Sequence, residues 1–394
     1  MELLFWISSS IVLYTFLGYG LVITILAFLK KKKKAYPILE DEDLPEVSLL
    51  IAAYNEEEIL VDKIQNSLAS DYPKEKLIIT FITDGTSDGS LKLLSKYPEV
   101  KINHSPARKG KIAAINRVMP EVDSPITIFT DANVMLNPGA IRNLVHHFQS
   151  NLVAAVSGEK VVQSAKSDAA SASGEGFYWK YESYLKKKDA EWNTLVGSAG
   201  ELVAIRTNLY EAPEEDTIIE DFVMTVRLAA QGFRVAYEPQ AIAAETGSAN
   251  VEEEEKRKIR ISAGGIQAIN RLPELMNWLK HPGLTFQYIS HRVLRWTLMP
   301  VALIIAMISS VGLLDKGGIY TLVFLAQALF YSFALVGYFK RNQITSIKYF
   351  HIPFYFTFMH ICVVKGWIRY WKGKQSVTWE KSIRAVPEFQ TSKA

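Results

Sequence analysis

Ile126-Thr127-Ile128-Phe129-Thr130-Asp131-Ala132-Asn133 is an apolar, β-branched run that ends on a carboxylate and, two residues later, an amide. An unbroken run of this kind suits a strand buried on both faces. Two earlier stretches have the same form. Val47–Ala53 (VSLLIAA) leads into Tyr54-Asn55-Glu56-Glu57, and Leu77–Thr83 (LIITFIT) leads into Asp84-Gly85-Thr86-Ser87-Asp88-Gly89. Between them Leu60, Ile64 and Leu68 recur at helical spacing until Asp71-Tyr72-Pro73 stops the pattern. A second helix, a strand near Val100–His104 and a helix from about Lys111 to Val118 follow. The alternation predicts an α/β fold with a parallel, doubly wound sheet. Ligands of such sheets bind beyond the carboxyl ends of the strands, where Asn55, Asp84 and Asp131 fall.

The composition narrows the choice of function. The chain has 394 residues, 49% hydrophobic and 11% aromatic, which excludes a largely disordered protein. Forty-four Lys and Arg against 41 Asp and Glu leave a net charge of +3, too close to balance for a nucleic-acid binder. The single cysteine, Cys362, excludes an internal disulfide framework and a cysteine metal cluster. Mean hydropathy is +0.07, high for a soluble enzyme, and its cause is local.

Leu3 to Leu29 is uncharged for 27 residues and is followed by five lysines, Lys30 to Lys34. About 20 residues cross a bilayer core, so this is a signal-anchor pattern with its lysines on the cytoplasmic side. A cleaved signal peptide would need a basic start and a shorter apolar region. Trp296–Leu314 and Gly317–Phe339 are uncharged for 19 and 23 residues and read as a hairpin of membrane helices turning at Asp315-Lys316. Tyr349–Val364 has only 16 residues and contains His351, Pro353 and His360. A full crossing there would export Lys365, Arg369, Lys372 and Lys374, so the segment is expected to dip in or lie at the interface. The organisation expected is an anchor (1–34), a cytoplasmic domain (35–295), membrane helices (296–370) and a tail (371–394).

Each polar loop admits a structural and a functional reading. Asn55 can cap the following helix. Asp84 can close a turn with Gly85 or accept hydrogen bonds from a nucleobase. Arg108-Lys109-Gly110-Lys111 sits at a helix start, where cations and the helix N-terminus favour phosphate; a solvated basic loop is the alternative. Asp131 and Asn133, at i and i+2 on an extended segment, point the same way, as ligands of a hard divalent cation would; an Asx turn towards Pro138 is the other reading. Glu220-Asp221 precedes the apolar stretch Phe222–Ala230 and suits either a helix start or a general base. Glu252–Lys256, Glu253–Arg257 and Glu254–Lys258 are i,i+4 pairs of a solvated helix face, which leaves Arg260 outside the pairing. Ile259, Ala263 and Ile266 line one side of the same helix, which either gates at the membrane surface or packs on the core.

Taken in order, Tyr54-Asn55-Glu56-Glu57, Asp84 to Gly89, Lys109-Gly110-Lys111, Thr130-Asp131-Ala132-Asn133, Gly197-Ser198-Ala199-Gly200 and Glu220-Asp221 resemble the motifs of family 2 glycosyltransferases. The likeness is to the membrane-embedded members, such as the cellulose, hyaluronan and poly-N-acetylglucosamine synthases, and covers roughly residues 47 to 300. It implies a GT-A nucleotide-sugar fold flanked by N- and C-terminal transmembrane helices, an inverting mechanism, and Mg²⁺ or Mn²⁺. By the same resemblance Ala53, Asn55, Glu57, Asp84, Lys109, Lys111, Asp131 and Arg260 hold the nucleotide-sugar, and Asp131 with Asn133 hold the metal. Gly197, Ser198 and Ala199 match the acceptor segment, Asp221 the catalytic base, and Glu220 its neighbour.

Processive members carry Gln-x-x-Arg-Trp after the base. The matching stretch here is Arg257-Lys258-Ile259-Arg260-Ile261, which keeps the arginine and lacks the glutamine and tryptophan. The expected activity is transfer from a UDP-linked sugar to a glycan acceptor in cell-surface polysaccharide synthesis, at the cell inner membrane by a multi-pass protein. The alternatives are transfer of a single sugar to a lipid acceptor, and an inactive scaffold or export subunit with the same fold.

Overall fold

The computed structural model describes residues 1–30, 37–163, 169–248, 250–340 and 348–373; side chains are described throughout these except at 163, 169–175, 177 and 348. Lys31 to Lys34, Arg341, Lys374 and the tail beyond residue 373 lie outside the described residues.

Eight strands form one sheet: β1 (Val47–Ala53), β2 (Leu77–Asp84), β3 (Lys101–Ser105), β4 (Ile126–Asp131), β5 (Val134–Leu136), β6 (Val153–Gln163), β7 (Leu202–Arg206) and β8 (Arg234–Thr246). Their spatial order is β3-β2-β1-β4-β7-β6-β8-β5. The described helices are α1 (Glu2–Leu29), α2 (Glu57–Leu68), α3 (Ser90–Leu94), α4 (Lys111–Val118), α5 (Ala140–His146), α6 (Ala169–Trp192), α7 (Glu220–Ala230), α8 (Val251–Arg271), α9 (Pro282–Trp296), α10 (Leu298–Val311), α11 (Gly318–Phe339) and α12 (Lys348–Trp371).

The apolar runs form central strands because both sheet faces are covered. In β1, Val47, Leu49, Ile51 and Ala53 join Leu60 and Ile64 of α2 in one core. Leu50 points the other way, into a second core with Ile82, Phe129, Ile115 of α4 and Val223 of α7. β1 runs parallel to β2 and to β4, and β2 parallel to β3. Register pairs Ala53 with Thr83, and Ala52 with Asp131, so the carboxyl ends of the three strands share one rim. The chain moves outward from β1 to β3 and returns to β4, and the switch point lies at that rim.

The expected all-parallel pairing holds in this half, and the other half is mixed. β7 is antiparallel to both β4 and β6, β5 is antiparallel to β8, and β6 and β8 are parallel. The 24-residue α6 packs on α1, where Leu185 meets Tyr19 and Ile23. The chain then re-enters the sheet as β7, antiparallel to β6, from the end at which β6 finished.

Among the described residues two helices, α1 and α11, are long and apolar enough to cross a membrane. Trp296–Leu314 is not one straight span: Trp296 ends α9, and α10 has 14 residues and bends 59° from it. At 1.5 Å per residue α10 covers about 21 Å of a core about 30 Å thick. The hairpin turn at Leu314–Lys316 is present, and Lys316 pairs with Glu2 at 2.6 Å, placing it beside the start of α1. At the other end of α1, Lys30 reaches the carbonyl of Trp192.

The third apolar stretch forms one continuous helix, α12, longer than the 16-residue run. It packs on α8, where a Cβ at Gly366 would stand 2.6 Å from the Cβ of Ser262. Trp367 donates to the carbonyl of Trp296 at 2.6 Å. α8 is therefore packed between α12 and the sheet domain. Its charged start is not a solvated face: Glu254 and Lys258 are each 4% exposed. The Glu254–Lys258 pair forms at 3.3 Å, while Glu253 takes Lys256 and Glu254 also takes Arg257, both at i,i+3.

Candidate active site at the sheet rim

Asp84 ends β2 and does more than close a turn. Its Oδ2 accepts from the backbone amides of Lys109 and Gly110 at 2.8 and 2.6 Å. Oδ1 is buried, has Arg117 at 3.7 Å and accepts no hydrogen bond. Gly85 must be glycine: its φ is +66°, and a Cβ there would meet the Cβ of Arg108 at 2.5 Å. This tight approach brings Arg108 over the ring of Tyr54, 3.8 Å from its centre. Ala53, Tyr54, Asp84, Arg108, Asp131 and Asn133 line a small cleft at this point.

Asn55 is not a helix cap. It adopts φ +52°, α2 begins at Glu57, and the Asn55 side chain accepts from the Ser87 amide at 2.8 Å. Glu57 accepts from the Gly89 amide at 2.8 Å, and Asp88 accepts from the Glu57 amide at 3.1 Å. Asn55 and Glu57 thus brace the loop after β2 and do not line the cleft. The Lys109 side chain is exposed and outside the cleft; its backbone amide serves Asp84.

Lys111 follows Gly110 (φ +102°) into α4, and its ammonium sits 2.8 Å from Asp131 and 3.0 Å from Glu220. Burial alone would depress this lysine, but the two carboxylates more than reverse that and raise it. Burial pushes Glu220 up, and Lys111 beside it brings the carboxyl below its usual value. Asp221 is raised to about 7, first by burial and then by the charge of Glu220. Two adjacent acids are thereby set apart, one ionised and one poised near neutrality, which is the arrangement of a general base.

Among the described residues no group of three His, Cys, Asp or Glu could by itself hold a metal. Asp131 and Asn133 nevertheless suit one. Both line the cleft, Asp131 Oδ1 is buried with the Lys111 ammonium 2.8 Å away, and oxygen ligands of this kind suit Mg²⁺, which takes one or two carboxylates and completes its shell with phosphate and water.

Lys111 and Asp131 also line a second, larger cavity of about 590 Å³, so the pair forms the neck between the two spaces. Glu220, Asp221, Arg260 and Gly197 to Gly200 line this larger cavity. Ser198 donates to the Asp221 carbonyl at 2.8 Å, and the Ala199 amide donates to Ser157 at 3.2 Å. Gly197 has φ +96° and abuts Phe222, where a Cβ would come within 2.8 Å. Arg260 donates to the Ile218 carbonyl at 3.4 Å.

The far wall was not legible as a site. Tyr178, Trp179, Glu182 and Lys186 come from α6, Lys160 from β6, and Arg292 and Arg295 from α9. Glu182 pairs with Arg292 at 2.7 Å and Arg295 at 2.9 Å. The spacing 178/179, 182, 186 marks one helix face, but its charges alone could not be told from a solvated surface. Phe16 of α1 and Met359 and Val363 of α12 complete the wall.

Residues 45–264 match the family described as glycosyltransferase like family 2. A poly-beta-1,6-N-acetyl-D-glucosamine synthase of Staphylococcus aureus (strain COL) is 25% identical over 253 residues, covering 61% of this chain and 57% of that protein. A beta-monoglucosyldiacylglycerol synthase of Trichormus variabilis is 28% identical over 201 residues, 47% of this chain and 41% of the relative. The chain thus spans 57% of the length of the first of these relatives and 41% of the second. Among solved structures, the mannosyltransferase PcManGT of Pyrobaculum calidifontis, in complex with GDP-Man and Mn²⁺, superimposes with a TM-score of 0.71 over 95% of this chain and 99% of that one, at 18% identity. By the family match over residues 45–264 the chain belongs to the family 2 glycosyltransferases, with a GT-A-like fold.

Proposed function

We propose that this glycosyltransferase takes a UDP-linked sugar in the cleft at Asp84 and passes the sugar, with inversion, to an acceptor hydroxyl in the larger cavity. One observation carries the reading. Asp221, raised to about 7, shares a cavity with the Lys111–Asp131 neck through which the donor's diphosphate would face the acceptor. The unsatisfied Asp84 Oδ1 suits a base imide N–H, and the Tyr54–Arg108 pair offers a flat wall beside it. Asp131 and Asn133 would hold Mg²⁺ or Mn²⁺, which supplies positive charge to the diphosphate. Lys111 and Arg260 add fixed positive charge at the same place. Asp221 takes the proton from the acceptor hydroxyl as its oxygen attacks the anomeric carbon from the face opposite the diphosphate. Holding donor and acceptor in line contributes about 7–11 kcal/mol in well-oriented cases.

The protein is read as a multi-pass protein of the cell inner membrane, with an anchor over 1–34, a cytoplasmic catalytic domain over 35–295, membrane helices over 296–370 and a tail after them. The acceptor is a growing glycan in cell-surface polysaccharide synthesis. A second reading, one sugar added to a lipid, is favoured by Phe16, Met359 and Val363, which give the acceptor cavity an apolar wall on the membrane side. The test is to incubate membranes containing the protein with labelled UDP-sugars and Mg²⁺ or Mn²⁺, and to size the product. A ladder supports the polysaccharide reading and a single glycolipid band the second. No turnover of any UDP-sugar overturns both and leaves an inactive scaffold.

A further inference from the structure

Lys186 is a buried cation that the transfer reaction above does not use. It is 4% exposed, lines the larger cavity, and its ammonium lies 5.7 Å from the centre of the Trp179 ring. The neighbouring cations are matched. Lys160 binds Glu201 and Glu245, Arg292 and Arg295 bind Glu182, and Lys258 binds Glu254 at 3.3 Å. Among the described residues, Lys186 alone of this group has neither a carboxylate within 4 Å nor a hydrogen-bond acceptor. Glu182, Glu201 and Glu159 act on it only through space.

Removing an ammonium from water without a partner is costly. Here burial lowers the affinity of Lys186 for its proton, and an anion in the cavity would offset that cost. Counting Arg257 with the cations above and Glu159 with the carboxylates, six cations on this side face five carboxylates, so the wall carries one positive charge in excess. Lys160, Lys186 and Lys258 all stand within 6 Å of the Trp179 ring centre and surround one spot. A few side chains away the lining turns apolar, with Phe16 from the membrane helix α1 and Met359 and Val363 from α12.

We propose that this wall is an anion subsite for a phosphate-bearing lipid, whose phosphate sits against Lys186 beside Trp179 while its hydrocarbon chain leaves along Phe16, Met359 and Val363. The inference rests on reading the larger cavity as the acceptor chamber and names its occupant as an anionic amphiphile. The phosphate is a handle for recognition, and the group that attacks the sugar remains a hydroxyl. Lysine suits this task, because a compact ammonium can be matched by phosphate oxygens from several directions.

The experiment titrates the full-length protein, in a nonionic detergent, with dodecyl phosphate, dodecanol and inorganic phosphate, using isothermal calorimetry. Dodecyl phosphate is expected to bind at one saturable site, with inorganic phosphate at least tenfold weaker and dodecanol weaker still. Lys186→Met should weaken dodecyl phosphate binding at least tenfold, and Lys186→Arg should restore it to within about threefold. Equal binding of dodecanol and dodecyl phosphate, or no effect of Lys186→Met, overturns the subsite. Inorganic phosphate binding as tightly as dodecyl phosphate overturns the lipid and leaves a free-anion site. A parallel UDP titration with Mn²⁺ reports the donor cleft separately. UDP binding retained by Lys186→Met shows that the variant is folded, and failure of UDP binding in the unaltered protein counts against the proposed function and leaves the lipid result standing.

Discussion

Gly200 and Asp221 are packed face to face: a Cβ on residue 200 would stand 3.2 Å from Cγ of Asp221 and 3.4 Å from its Oδ2. The glycine leaves the carboxylate free to face the cavity, and its own backbone sits in an ordinary region. Gly200→Ala therefore moves Asp221 by a few tenths of an ångström without straining the chain. Misplacement of a reacting group by about 1 Å can cost on the order of 10²-fold in rate. The expected result is a kcat about 10-fold lower, with UDP affinity and Tm close to those of the unaltered protein. Unchanged kcat would show that Asp221 need not sit where it does.

Asp221→Asn should abolish transfer and leave UDP binding nearly intact. In the unaltered protein the base must be ionised, so kcat/KM should fall about tenfold per pH unit below about 7. The same shift affects stability. Between the usual Asp value of 3.8 and about 7, the folded protein holds a proton that the unfolded chain has released, so stability falls as pH rises through that window. Asp221→Asn removes this loss. The variant should melt above the unaltered protein at pH 8, and the gap should close near pH 4. A gap independent of pH would contradict the raised carboxyl.

Asp131→Ala leaves the Lys111 ammonium with Glu220 alone at the neck. UDP binding that strengthens with added Mn²⁺ should lose that dependence, with affinity in saturating metal down at least tenfold. Asn133→Ala should show a smaller loss in the same direction, because an amide contributes less than a carboxylate to a hard cation. An unaltered Mn²⁺ titration in Asp131→Ala would remove the metal assignment.

The half of the sheet that reads clearly in the sequence is the half buried on both faces. β1, β2 and β4 show as apolar runs because nothing on either side of them meets water, and Asp84 and Asp131 stand out as the first polar groups after such runs. β7 and β8 are framed by α6, which meets elements far away in the sequence: its Asp189 takes Tyr19 of α1 and His291 of α9, and Tyr14 of α1 meets Ser290 of α9 across 276 residues. Local spacing carries no trace of pairings that distant. Asn55 was ambiguous for a different reason. An asparagine two residues before a helical glutamate suits a cap and equally suits a left-handed bend that reaches the Ser87 loop, and only the observed φ of +52° separates them. The enclosure of α8 depends on Gly366 in α12, about a hundred residues further along the chain, so its charged start could not be told from a wet surface.

Lys63 offers a test of how the metal loop is supported. It is fully buried on the face of the sheet beneath the rim, and its ammonium donates to the carbonyl of Val134 at 2.5 Å. Asn66, on the same helix, closes a second clamp by exchanging two hydrogen bonds with Leu136. Together they fix β5, the strand that begins immediately after Asn133. Burial pulls Lys63 down to about 7, and the charge of Asp131 counters only part of the effect. From about pH 7 up to the usual 10.5 the unfolded chain holds a proton that the folded one lacks, so stability rises with pH through that window. Lys63→Met fills the space but leaves the Val134 carbonyl without its donor. The slope of urea midpoint against pH between 7 and 10, measured in EDTA, should be flatter in Lys63→Met than in the unaltered protein. Mn²⁺-dependent UDP binding should weaken several-fold, because the loop bearing Asp131 and Asn133 is no longer held from below. An unchanged slope would mean that Lys63 keeps its proton as firmly when folded as when unfolded, and unaltered UDP binding would mean that Asn66 alone holds the loop.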